Sequence, residues 1–358
     1  MNTNQIDKFY YGVCVSAPCL CPVECLYTRF LWEDGYAPVS GVSIAAEGVG
    51  RGFNGIISNE KHEKKLPKGI STVWMNYNEK KVYELEEFLP FNQILDLFKR
   101  GVSLDKERNS KGIYKFDTLD LCYLPDGEVM LYVKSYCIKI LLDWSAKGEV
   151  SSDYDKYIVS SREEETMNEY FDASIKQTNE RLSKNCVKSY KQSTTIIKQL
   201  FKRYNYRISF EFEDADTKVG LTRLFFTNGE TYNADFNRVF EIIQTPSIVE
   251  NVEASWDTKD SRYAFYMYFN EDEMFTIFEE AYGLDNFQKG ELKIKVCKYN
   301  NLFEVSLNVC GKIIPLKKTE IRVYVKPLAQ LDQDWKLVFK NYKERHNYFS
   351  DDPYFMIE

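Results

Sequence analysis

The stretch from Thr72 to Phe98 constrains the fold more than any other part of the chain. Thr72 to Tyr77 and Val82 to Leu85 read as two strands, with Asn78-Glu79-Lys80 as the polar turn between them. Pro90 pre-sets φ for a first helical turn. Ile94, Leu95, Leu97 and Phe98 then form an apolar stripe until Gly101 stops the helix. A looser copy follows at Trp256, with a turn-like Thr258-Lys259-Asp260 and a returning strand from Tyr263 to Phe269. Asn270 can cap a helix carrying Met274, Phe275, Ile277 and Phe278. Setting Phe98 on Phe278 and Cys122 on Cys297 aligns the two without large gaps. The match is one of pattern, and two independent α+β domains would also produce part of it.

The rest of the chain fits around these two stretches. Residues 9–32, broken by Pro18 and Pro22, read as an interrupted edge strand. Residues 35–59 are dense in glycine, which favours turns, bulges or close backbone approach. Thr118–Leu124 and Val129–Ile140 form a hairpin across Pro125-Asp126-Gly127. Ser161 and Glu164 fit a capping box, and helical spacing follows from Met167 to Phe201, as one long helix or as two broken near Lys184-Asn185. Strands return at Arg207–Glu213, Leu221–Thr227 and Glu230–Ala234, the last two around Asn228-Gly229, a type I′ signature. Phe236 to Ile243 reads as a short helix. Trp335, Phe339 and Tyr342 lie on one face of a possible C-terminal helix. The expected fold is therefore α+β: two modules of mainly antiparallel sheet, each with a short packed helix, joined by a long helix or helix pair. The modules span residues 1–150 and 206–330, with a helical linker at 151–205 and a tail at 331–358.

Charge narrows the partners. The 358 residues carry a net −7, and residues 206–358, with 19 basic and 26 acidic side chains, account for that surplus. Such a field repels phosphate backbones and argues against nucleic acid, while a basic protein partner fits it. No apolar run reaches the roughly 18–20 residues of a membrane span. Read as given, the chain is expected to be cytoplasmic, or periplasmic or lipid-anchored if a signal has been removed.

Val15-Ser16-Ala17-Pro18, Pro22-Val23-Glu24, the Val73-Trp74 strand, and Glu79 and Lys81 before Tyr83 form one set of recognisable features. Leu89-Pro90 opening a helix that ends at Phe98, and Pro125-Asp126-Gly127 before an apolar strand, complete it. Over roughly residues 9–145 the chain thereby resembles a bacterial family, domain of unknown function 2931. The resemblance supplies no catalytic residues. Many relatives carry a lipid-attached Cys after an N-terminal apolar segment, which this sequence lacks. By analogy, small bacterial proteins of this kind are suspected immunity partners of secreted toxins.

Candidate chemistry is sparse. Cys14, Cys19, Cys21 and Cys25 crowd together, but Cys21 and Cys25 have no second knuckle at a familiar zinc spacing, so buried or surface thiols are expected and no metal. The two histidines, His62 and His346, sit in charged runs and read as solvated residues. Gly48, Gly50 and Gly52 lack the spacing and following helix of a phosphate loop. Glu86-Glu87 and Glu279-Glu280 are adjacent, so their side chains diverge. No catalytic residue, metal or cofactor is expected. The aromatic strand Tyr263–Phe269 should bury one face. Its other face, Tyr266 and Tyr268 rimmed by Glu271, Asp272 and Glu273, would be the binding surface if exposed. The expected function is a non-enzymatic protein-binding protein, specifically a toxin-neutralising immunity protein. The alternative is an envelope-associated structural or carbohydrate-binding module.

Overall fold

The computed structural model describes residues 7–40, 44–57, 63–102, 113–152, 166–181, 190–214, 217–236, 245–332 and 334–342. The capping box at Ser161 and Glu164, the helix break near Lys184-Asn185, most of the short helix at 236–243, and both histidines lie outside them. The chain divides into two compact units, the first ending at Lys198 and the second running on from Gln199. Both are α+β, with mostly antiparallel sheet.

The first unit begins with β1 (Lys8–Phe9), β2 (Gly12–Ala17), β3 (Val23–Trp32), β4 (Gly35–Ser40) and β5 (Ile44–Ala45). It continues with β6 (Gly48–Ile57), β7 (Lys64–Lys65), β8 (Gly69–Asn76), β9 (Lys81–Phe88) and α1 (Phe91–Arg100). Then come β10 (Thr118–Tyr123), β11 (Glu128–Lys134), β12 (Ile138–Lys147) and β13 (Glu149–Val150). Helices α2 (Met167–Arg181) and α3 (Tyr190–Leu200) follow.

β2 runs parallel to β10 and antiparallel to β6, so it is an interior strand, not the edge strand expected from its prolines. Pro18 and Pro22 fall in the connection between β2 and β3, where no ladder hydrogen bond is required of them. The expected strand from Val129 to Ile140 is in fact two. β11 stops at Lys134, and the Ser135 side chain accepts from Cys137 N and Ile138 N to reverse the chain. From β12 the pairings pass through β11, β10, β2, β6, β4, β3, β8 and β9 and return to β13. Gly148 makes that closure possible. A Cβ there would stand 2.5 Å from the Trp74 ring and 3.0 Å from Glu84 O. Gly52 is likewise a place of close backbone approach, since its Cβ would lie 2.1 Å from Val15 O.

The core of this unit centres on Trp74, which stacks on Tyr83 at 5.4 Å and tilts against Tyr123 at 4.9 Å. Beside it the buried hydroxyls of Thr28, Thr72 and Tyr123 bond one another, at 2.9 Å between the threonines and 2.7 Å from Thr72 to the phenol. A buried ion pair joins Lys139 Nζ to Asp120 Oδ2 at 2.6 Å, with Ser16 Oγ donating to Asp120 Oδ1 at 2.9 Å. Phe98 of α1 packs edge-on to Phe9 and Tyr11.

The second unit holds β14 (Tyr206–Phe212), β15 (Lys218–Phe226), β16 (Thr231–Asp235), β17 (Val249–Asp257) and β18 (Ser261–Tyr268). These are followed by α4 (Glu271–Tyr282), β19 (Gly290–Val296), β20 (Phe303–Val309), β21 (Lys312–Pro315), β22 (Glu320–Pro327) and β23 (Lys336–Lys340). One sheet runs β16-β15-β17-β18-β22-β23, all antiparallel. The other runs β14-β19-β20-β21, with β14 parallel to β19. Two expectations need correction. Gly229 has a positive φ but Asn228 does not, so the turn between β15 and β16 is not type I′. Residues 336–340 form a strand rather than a helix, because β23 finds a ladder partner in β22.

Trp256 is fully buried, stacks on Tyr263 at 6.0 Å, and donates from Nε1 to Asn300 Oδ1 at 3.0 Å. Phe278 of α4 packs edge-on to Tyr204 and Tyr206, each at 5.0 Å.

Candidate functional site

Helix α4 organises the most distinctive surface of the second unit. Its first turn carries Glu271, Asp272 and Glu273, and the Asn270 side chain accepts from Glu273 N at 3.0 Å. Carboxylates at a helix N-terminus complement the backbone dipole, so part of this acidity stabilises the helix itself. Met274, Phe275, Ile277, Phe278 and Tyr282 are buried, leaving Glu271, Asp272, Glu279 and Glu280 on the outer face. Residues 271–288 contain six carboxylates and no Lys or Arg. Among the described residues, Lys312 Nζ reaches the Glu280 carboxylate at 3.1 Å.

The helix ends at Gly283, whose φ of 57° suits glycine and whose N–H returns to Glu279 O. The loop beyond it holds apolar side chains out in water: Leu284 is fully exposed and Phe287 is 76% exposed. This loop is tied down at several points. Asn205 Nδ2 donates to Phe287 O at 2.9 Å, and Asn205 N donates to Asn286 O at 2.9 Å. Gly290 N and the Tyr282 hydroxyl both donate to Asn205 O. Asp285 Oδ1 accepts from Phe287 N at 3.0 Å. The arrangement presents two rigidly mounted apolar side chains at the end of an acidic helix face. What it offers chemically is exposed apolar area beside negative charge.

Tyr266 and Tyr268 are not part of this surface. Each is at most 3% exposed, so the expected exposed aromatic strip does not form. They pack with Ala264, Tyr324 and Trp335, under the Arg322 guanidinium, which lies 4.9 Å from the Tyr266 ring centre. Arg322 Nη2 also donates to the Tyr268 hydroxyl at 3.2 Å. Burial pushes the Tyr266 phenol well above its ordinary range. Residues 264–268 of β18 are thus buried on both faces, with Tyr324, Trp335 and the Arg322 guanidinium covering the Tyr266 and Tyr268 side. Of the acidic rim, Glu271 and Asp272 are exposed, while Glu273 accepts from Lys317 N at 2.8 Å and Lys318 N at 2.9 Å. Sequence reasoning missed Leu284 and Phe287. The signal was present as two isolated apolar residues between the helix-stopping Gly283 and the next strand, but exposure cannot be read from so short a span.

Of the crowded cysteines, Cys14 and Cys21 are buried free thiols, while Cys19 and Cys25 are partly exposed ones. Cys21 shares contacts with the Asn76 amide at 3.2–3.3 Å, and burial pushes its thiol up to about 12. Burial likewise pushes Cys14 up to about 11. Among the described residues no group of His, Cys, Asp or Glu could hold a metal ion, and no helix is long and apolar enough to cross a membrane.

The fold is that of an α+β protein whose second unit presents an exposed apolar loop beside an acidic helix face. The chain belongs to the family described as Protein of unknown function (DUF2931), whose model matches residues 1–198. That match covers the first unit, and the α4 face lies beyond it. No curated protein and no solved structure matches the chain.

Proposed function

We propose that the protein is a non-enzymatic binding protein, and specifically an immunity protein that neutralises a secreted toxin by occluding it. The observation that carries this reading is the pinned loop holding Leu284 and Phe287 in water beside the carboxylates of α4. Burying a Leu or Phe side chain is worth about 1.5–3 kcal/mol, and a loop already fixed in place loses little entropy on binding. The acidic helix face would steer a basic partner towards these anchors.

The same reading treats the two units as versions of one module. In both, a first strand lies parallel to the strand after the helix: β2 with β10, and β14 with β19. The pairs β3–β8–β9 and β15–β17–β18 also correspond, as do β9–β13 and β18–β22. Trp74 faces Tyr83 across its hairpin as Trp256 faces Tyr263. The second copy would then have diverged toward partner binding.

Co-expression with a secreted toxin recovered by pull-down on the wild-type protein tests the function. Wild-type protein should restore growth to cells making that protein. A Leu284→Ala, Phe287→Ala double variant that remains folded should not. Failure of the wild type to protect would refute the toxin reading.

A further inference from the structure

A cleft of about 260 Å³ opens in the first unit, away from any residue considered above as a binding site. The sequence pattern does not reveal it, because its walls come from four separate places, the first being Asp7 ahead of β1. Trp32, Glu33 and Asp34 lie at the turn between β3 and β4, Lys65 to Lys68 follow from β7, and Phe91 and Leu95 are on α1. The frame is fixed by the backbone. Lys68 N donates to Leu31 O and Leu89 N to Lys68 O, both at 2.9 Å, and the Trp32 indole donates to Lys65 O at 2.9 Å. Leu66 is buried in the floor, and the Trp32 and Phe91 rings are half-buried along it.

The rim consists of matched charges. Lys65 pairs with Asp34 at 2.9 Å, Lys68 pairs with Glu33, and Asp7 pairs with Lys99 from α1. Hydrogen bonds from the two lysines hold the Glu33 and Asp34 carboxyls below their usual range. The three pairs sum to zero. These pairs are solvent-exposed, so a charged ligand meets no free rim charge and would compete with a partner already in place at each of them. A neutral hydroxyl faces no such conflict, because it can donate to the carboxylate and accept from the ammonium of the same pair. The rings and leucines meanwhile offer an apolar face to C–H groups.

We propose that this cleft binds a neutral saccharide, with the apolar face of one sugar ring against Trp32 and Phe91 and its hydroxyls inserted between the paired charges. The volume, just under the roughly 300–1,000 Å³ of drug-sized sites, fits one ring or a chain end. The site lies wholly in the first unit and stands independently of the α4 surface.

Saturation-transfer NMR on the full chain tests it, using glucose, galactose and N-acetylglucosamine as neutral probes and glucuronate and glucosamine as charged controls. At least one neutral sugar should bind with a Kd of about 1 mM. Phe91→Ala should weaken it at least about tenfold, and Lys65→Gln, which keeps the apolar floor, should weaken it measurably. Phe88→Ala removes an exposed ring outside the cleft and should leave binding unchanged. No transfer to any neutral sugar, equal binding by Phe91→Ala, or tighter binding of a charged control would each overturn the proposal.

Discussion

Substituting phenylalanine for each of the two buried core tryptophans should have unequal consequences. Trp74 and Trp256 are both essentially inaccessible, and each stacks on a tyrosine across a hairpin. Replacing either indole by a phenyl deletes the same atoms, so the transfer and cavity costs are similar at the two positions. The polar groups differ. Trp256 Nε1 donates to the buried Asn300 Oδ1 at 3.0 Å, and losing the indole leaves that oxygen without its donor. Trp74 Nε1 is buried with no hydrogen-bond partner among the described residues, so its removal relieves an unsatisfied group. An unpaired buried polar group costs about 1–3 kcal/mol. Trp256→Phe should therefore destabilise its unit by about 2 kcal/mol more than Trp74→Phe destabilises the other. Urea unfolding followed by far-UV circular dichroism, with each unit's transition fitted separately, measures both values. Equal costs, or a larger cost at Trp74, would refute the reasoning.

Three further outcomes follow from buried charges and thiols. Asp120→Ala strands the Lys139 ammonium and should cost about 3–5 kcal/mol, whereas Asp120→Leu with Lys139→Met should recover most of that loss in the same urea assay. The thiols of Cys21 and Cys122, ordinarily ionising near 9.0, are pushed by burial up to about 12. Their stabilising contribution is complete below pH 9.0 and is lost as pH rises towards 12, so stability measured by urea midpoint should fall across that window. A flat midpoint there would contradict this. At pH 8 in native buffer, a thiol reagent should modify exposed Cys310 while leaving these two unmodified until denaturant is added.

Local patterns carried much of the fold. The hairpin and helix around Trp74 follow from alternation, a proline and a glycine, and Asn270 caps α4 as its position implies. Partner-dependent features did not show. Whether β2 lies at an edge depends on β6 and β10, some 40 and 100 residues away. Tyr266 and Tyr268 look amphipathic in sequence, and they are buried because β22, more than fifty residues later, adds beside β18 and brings Arg322 over them. The tail near Phe339 has apolar residues that suit either a helix or a strand, and pairing with β22 decides the outcome. The acidic residues after Asn270 were legible as a surface. Leu284 and Phe287 were not, since their exposure is set by hydrogen bonds to Asn205, about 80 residues earlier.

The proposed partner surface is tested most directly by calorimetric titration of the wild type and of Phe287→Ala with a protein partner recovered by pull-down on the wild type. Loss of about 1.5–3 kcal/mol of buried apolar contact predicts at least a tenfold weaker Kd for the variant, with its fold intact by circular dichroism. An affinity unchanged within twofold would contradict the assignment of the α4 loop as the docking face.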